Sequence, residues 1–156
     1  MSPPVDGLDH VELLVPDRER AREWYREVLG LRVVEEFRHW ATAGGPLMLS
    51  ADDGQSMVAL FEEPAGTNDG PSSGYRRMAF RTDTDRFFEF LDRESSQAPV
   101  FDRDANPIER LDAVDHGQSY STYFYDPFGN ALEVTTYEYD EVGARLDETE
   151  DTRSHE

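Results

Sequence analysis

The alternation of apolar and polar side chains divides the chain into strands and helices in an order that occurs twice. Residues 8–15 alternate with period two and predict a strand, with Val11, Leu13 and Val15 on one face and His10, Glu12 and Leu14 on the other. Pro16 and Asp17 supply a turn and a helix cap. Ala21, Trp24, Tyr25, Val28 and Leu29 then recur at helical spacing, and Gly30 ends the helix. Three strand-like runs follow at 31–37, 47–50 and 56–61, the last two joined by Ala51-Asp52-Asp53-Gly54. Residues 63–74 are rich in Pro, Gly, Ser and Asn and read as a linker.

The second half repeats this order. Residues 76–82 predict a strand, and Asp83 or Thr84 caps a helix carrying Phe87, Phe88 and Leu91. Further strands are expected at 100–102, 119–125 and 131–137. Asp126-Pro127-Phe128-Gly129 places Pro and Gly where a tight turn between the last two needs them. Aligning the two halves sets His10 against Arg77 and Ala59 against Glu133. The pattern predicts an α+β fold of two tandem βαβββ modules, residues 1–62 and 75–137. The acidic segment 138–156 is expected to fray in solvent. In each module one sheet face is uniformly apolar and must lie under the helix. The other carries His10, Glu12, Arg77, Arg81 and Glu133, the residues of a small-molecule cleft in a cupped, partly closed mixed sheet with helices outside.

Three stretches carry a family resemblance: residues 8–17; the helix with Trp24-Tyr25 and Leu29-Gly30-Leu31; and Tyr123-Phe124-Tyr125-Asp126-Pro127-Phe128-Gly129-Asn130-Ala131-Leu132-Glu133-Val134. Together they resemble the vicinal oxygen chelate superfamily of glyoxalase, bleomycin-resistance and extradiol dioxygenase proteins. The resemblance implies paired βαβββ modules around a divalent metal, iron or another, held by the opening and closing strands of each module. Its four ligand positions fall on His10, Ala59, Arg77 and Glu133. His10 and Glu133 match, whereas Ala59 and Arg77 do not. The last third is similar to the extradiol dioxygenase pattern, in which a His and a Tyr assist the chemistry, and these correspond to His116 and Tyr123. Glu12 beside His10 is a candidate substitute ligand or substrate contact.

Arg77 weighs most against the metal. A guanidinium about 4 Å from a divalent cation, at an effective dielectric near 20, repels it by ~8 kcal/mol. A full structural zinc site gains only about 10–16 kcal/mol. The same planar fork suits an ion pair with Glu133 or the clamping of an oxyanion. Two functions therefore follow from these residues. One is an extradiol-dioxygenase-type enzyme with an altered or lost metal site, His116 and Tyr123 being its acid–base residues. The other is a metal-free binding or sequestering protein of the bleomycin-resistance type, holding an aromatic or anionic compound through Arg77 and Arg81. A third, metal-free enzyme would use Glu133 as base. His39 and His155 are assigned no role, and Trp24 and Tyr25 are assigned to packing.

Composition narrows the partners. The 156 residues hold 34 acidic and 15 basic side chains, a net charge of −19, and all 15 basic residues are Arg. Such a surface repels nucleic acid and anionic membranes. It also repels itself unless salt shortens the Debye length, which falls to roughly 3 Å at 1 M. A halophile's cytoplasm is the expected setting. The chain has no Cys, which removes disulfides and thiolate chemistry. No apolar run is long enough to span a membrane, and Met1-Ser2-Pro3-Pro4 lacks the basic and hydrophobic regions of a secretory signal. A homodimer is the expected assembly, because superfamily modules pair either within or between chains.

Overall fold

The computed structural model describes residues 8–62, 77–94 and 97–154, with side chains to 149. The expected linker at 63–74, Arg76 and His155 lie outside the described residues. The chain divides into two compact units, residues 1–72 and 73–156. Each has its own mixed sheet and helices. Among the described residues no helix is long and apolar enough to cross a membrane.

In the first unit, strand β1 (His10–Val15) leads into helix α1 (Arg18–Leu29). The Asp17 side chain caps α1 by accepting from the Arg20 N–H at 3.0 Å. At the other end Gly30 takes the left-handed conformation with φ 72°. The Gly30 amide donates to the Arg26 carbonyl, the bond of a left-handed cap, and the Leu31 amide donates to the Tyr25 carbonyl. Ala21, Trp24, Tyr25 and Val28 are buried, as their spacing requires. Strands β2 (Arg32–Val33), β3 (Leu47–Ser50) and β4 (Met57–Glu62) complete a sheet in the order β1-β4-β3-β2, with β1 and β4 parallel. The β3–β4 turn forms where predicted. Asp53 and Gly54 both have positive φ, while Ser50 and Asp52 bind the turn amides.

Two expectations for this unit fail. The run 31–37 is a strand only at β2. Glu35–Phe37 is instead a 3-10 turn that passes into the short helix α2 (Arg38–Thr42). Arg38 grips Glu35 through two hydrogen bonds of 2.7 and 2.8 Å, and Phe37 stacks on Trp40 with ring centroids 4.3 Å apart. The face of His10 and Glu12, expected to line the cleft, is also apolar across β4. Met57 and Ala59 are buried with Met48, and Val34, Phe37 and Phe61 pack against them. Turning the chain at 35–37 is what brings Phe37 over these residues, which a continued strand would have left in water.

The second unit repeats the order with additions. Strand β5 (Met78–Arg81) leads to helix α3 (Thr84–Leu91), capped by Asp83, whose side chain accepts from the Arg86 amide. Strands β6 (Val100–Phe101), β7 (Pro107–Ile108), β8 (Val114–Asp115), β9 (Tyr120–Tyr125) and β10 (Ala131–Thr136) follow. The main path runs β5-β10-β9-β6-β7, and β8 also pairs with β9. The β9–β10 turn is the predicted one, with Asp126 accepting from the amides of Phe128 and Asn130. The repeat extends to register. Glu12 pairs with Ala59 across parallel strands in the first unit, and Ala79 pairs with Glu133 in the second.

Residues 139–154, expected to fray, form helix α4 (Tyr139–Ser154). Its polar composition hides four anchors. Val142 is fully buried, and Tyr139 stacks on Tyr120 with centroids 4.9 Å apart. Glu138 accepts from the backbone N–H and the hydroxyl of Thr84, both at 2.7 Å, and Arg145 pairs with Asp85.

Candidate functional site

The second unit gathers four of the sequence-predicted residues on one sheet face. Register decides this, because residues directly opposite in a sheet share a face. Ala79, Glu133 and Tyr123 form one row across β5, β10 and β9; Arg81, Thr135 and Ser121 form the next. Arg77, just before β5, falls on the same side by alternation. Its guanidinium carbon stands 4.4 Å from the centre of the Tyr123 ring, a cation–π contact. The ion pair that Arg77 and Glu133 could have made is not formed.

Tyr123 is also held at its hydroxyl. His116, in the turn after β8, places Nε2 2.6 Å from the Tyr123 oxygen. The turn that presents His116 is itself braced. Asp115 accepts from the Gly117 amide at 2.8 Å and from the Tyr139 hydroxyl of α4 at 2.9 Å. These bonds hold the Asp115 carboxyl below its usual range, the Gly117 amide contributing most. The same carboxylate, as hydrogen-bond partner, pushes the Tyr139 phenol up to about 12. Glu133 takes a hydrogen bond from the Ser121 hydroxyl at 2.8 Å, and Ser121 also lies 2.9 Å from Thr135 Oγ1. The face thus offers a fixed carboxylate, a hydrogen-bonded imidazole–phenol pair and a guanidinium resting on the same phenol ring. Such a set can bind a hydroxylated or anionic aromatic molecule and move a proton at the His116–Tyr123 bond.

Arg81 sits on this face but turns its guanidinium over the Tyr137 ring, 5.1 Å from its centre. Ser121, Asp115 and Tyr139 escaped the sequence reading. Alternation in β9 would have put Ser121 beside Tyr123, but only the β9–β10 register shows that it meets Glu133. In the first unit, His10 and Glu12 meet: the ring lies between Asp9 (Nδ1 to Oδ2, 2.7 Å) and Glu12 (Nε2 to Oε1, 3.4 Å). The Asp9 hydrogen bond, helped by Glu12, raises the His10 pKa above 6.5.

The family-model comparison matches residues 7–134 to the Glyoxalase/Bleomycin resistance protein/Dioxygenase superfamily. The chain belongs to this superfamily. A curated relative, biphenyl-2,3-diol 1,2-dioxygenase 2 of Rhodococcus globerulus, is 30% identical over 128 residues, which cover 80% of this chain and 60% of the relative. This superfamily member therefore spans about three fifths of that dioxygenase. Solved structures share the fold. A glyoxalase/dioxygenase from Nostoc punctiforme aligns with a TM-score of 0.56 and 19% identity over 88% of this chain and 95% of its own. A glyoxalase/bleomycin resistance protein/dioxygenase from Alicyclobacillus acidocaldarius gives 0.55 and 18% over 91% and 98%.

The superfamily implies a divalent metal, and the four carried-over positions can be tested for it. Ala59 has no donor atom and is fully buried beside Met48 and Met57. Arg77 brings a cation, and both His10 nitrogens already face carboxylates. Among the described residues no group of three His, Cys, Asp or Glu side chains is arranged to hold a metal ion. His10 and Glu133 remain as donors of the right chemistry, but the set of four does not fit a complete metal centre.

Proposed function

We propose that this chain is an extradiol-dioxygenase-type small-molecule protein with an altered metal site, whose second unit binds a hydroxylated aromatic compound. The observation that carries the reading is the 2.6 Å bond between His116 and Tyr123, with Arg77 stacked on the same ring. A phenolic ligand set against this face gives its proton to the His116–Tyr123 pair, and its oxyanion gains the guanidinium of Arg77. A second hydroxyl donates to Glu133, which Ser121 keeps in place. The dioxygenase relative supports an aromatic diol as the ligand class.

Sequestration without turnover is the second reading, favoured by Ala59 and Arg77 at two of the four ligand positions. We further propose a homodimer in the salt-rich cytoplasm of a halophile, supported by the superfamily's habit of pairing modules and by the −19 charge.

Calorimetric titration with biphenyl-2,3-diol, combined with elemental analysis of protein purified without chelator, tests the reading. Expected are saturable binding at well under one metal per chain and a roughly tenfold loss in Tyr123→Phe, the value of about one hydrogen bond. Absence of binding refutes the ligand class. One firmly held metal per chain with ring-cleaving turnover refutes the altered site. Among binders, turnover separates an enzyme from a sequestering protein.

A further inference from the structure

A cavity lies in the second unit, on elements that the His116–Tyr123 face does not use. Arg93 and Glu94 beyond α3, residues 97–99 before β6, and β6–β7 line about 540 Å³. Its walls include Ala98, Val100 and Ile108, with Arg93 and Arg110 as the cations. Glu94 and Glu109 also line it, and both are exposed.

Arg93 is partly buried and is held differently from the arginines that pair with acid. Arg22, Arg38, Arg86 and Arg145 each pair with a carboxylate, as abundant acid makes easy. Among the described residues no carboxylate pairs with Arg93. One amino group donates to the Ala98 carbonyl at 2.5 Å, and the guanidinium carbon lies 5.1 Å from the centre of the Phe90 ring. These two contacts fix the plane of the group and use one of its five N–H donors. Phe90 is in turn seated on Phe124, centroids 5.1 Å apart, so the platform is part of the core. Burial alone lowers the Arg93 pKa, the mark of a cation partly out of water with no anion to offset the loss.

We propose that this cavity is a binding site for a small organic monoanion, an aromatic or branched aliphatic carboxylate. The carboxylate takes the free edge of the Arg93 guanidinium, whose planar fork matches it. The apolar body lies against Val100 and Ile108. Glu94 and Glu109 repel a second negative charge, which sets monoanions above dianions.

The test is titration of the full chain with benzoate and with neutral benzamide, followed by the methyl NMR signals of Val100 and Ile108. Benzoate is expected to shift both signals saturably and benzamide to leave them in place. Arg93→Gln is expected to weaken benzoate at least tenfold, and Arg77→Gln to leave these shifts unchanged. Should Arg93→Gln fail to fold, Ile108→Trp, which fills the cavity, carries the test and is expected to abolish the response. Equal response to benzamide, no shift with benzoate, or unchanged benzoate affinity in Arg93→Gln or Ile108→Trp overturns the proposal. None of these outcomes depends on the His116–Tyr123 face.

Discussion

Removing the Ser121 hydroxyl tests how the Glu133 carboxylate is held. Ser121 is 1% exposed, and its Oγ donates to Glu133 Oε2 at 2.8 Å. A hydrogen bond to a charged group contributes about 1.5–3 kcal/mol. Ser121→Ala removes one oxygen atom, so the lost volume adds little and the bond dominates. Thr135 keeps its contact with the Tyr120 carbonyl at 3.3 Å and does not substitute as donor. The expected loss is therefore about 2 kcal/mol by urea unfolding with the slope unchanged. A double-mutant cycle isolates the pair. Glu133→Ala alone also loses packing, but the coupling between the two changes should be about 1.5–3 kcal/mol. Singles that add to the double within ~0.5 kcal/mol would mean that Ser121 acts on stability without acting on Glu133.

Three further outcomes follow from individual side chains. Among the described residues Thr122 Oγ1 is buried with no hydrogen-bond partner, so Thr122→Val should stabilise by about 1 kcal/mol and raise Tm by about 2–4 °C; an unchanged or lowered Tm contradicts it. The Tyr139 phenol is raised from 10.0 to about 12, so its neutral form belongs to the folded state. Its contribution to stability is fully present below pH 10 and is lost as pH rises from 10 toward 12. Tyr139→Phe should therefore flatten the alkaline fall in thermal stability, and a fall identical to wild type would show that Asp115 does not hold the phenol. His10 is raised above 6.5, chiefly by Asp9, so its share of stability is full below that pH and fades as pH climbs through the folded pKa. NMR titration should place the His10 midpoint above 6.5 and bring it down in Asp9→Asn; no movement would remove Asp9 as the cause.

Where one period governed a segment, the sequence read correctly. Helix α1 was legible because its apolar spacing, Asp17 and Gly30 agree, and the β9–β10 turn because Pro127 and Gly129 occupy the positions a tight turn demands. The segment 35–42 was not, since a strand and a 3-10 turn both accept Val33, Val34 and Phe37, and only the uncovered Met48, Met57 and Ala59 decide between them. Helix α4 was hidden by its charge: four anchors hold it, and three are contacts to residues remote in sequence. The candidate face shows the same division. Alternation placed Arg77 and Glu133 on one face and the family resemblance supplied Tyr123, but register with β10 was needed to join Ser121 to Glu133. The bracing of His116 by Tyr139 depends on the docking of α4, which no local pattern announces. The Asp9 contact lay one residue from His10, where alternation assigns it to the opposite face.

Arg77, His116, Tyr123 and Glu133 are proposed to form one ligand-binding face. The most direct measurement is NMR of protein labelled at the Tyr Cζ and His ring carbons during titration with an aromatic diol. The Tyr123 and His116 signals are expected to shift together and saturate at one diol per chain, and Arg77→Gln is expected to weaken both responses in parallel. Saturable binding that leaves the Tyr123 and His116 signals unmoved would contradict it.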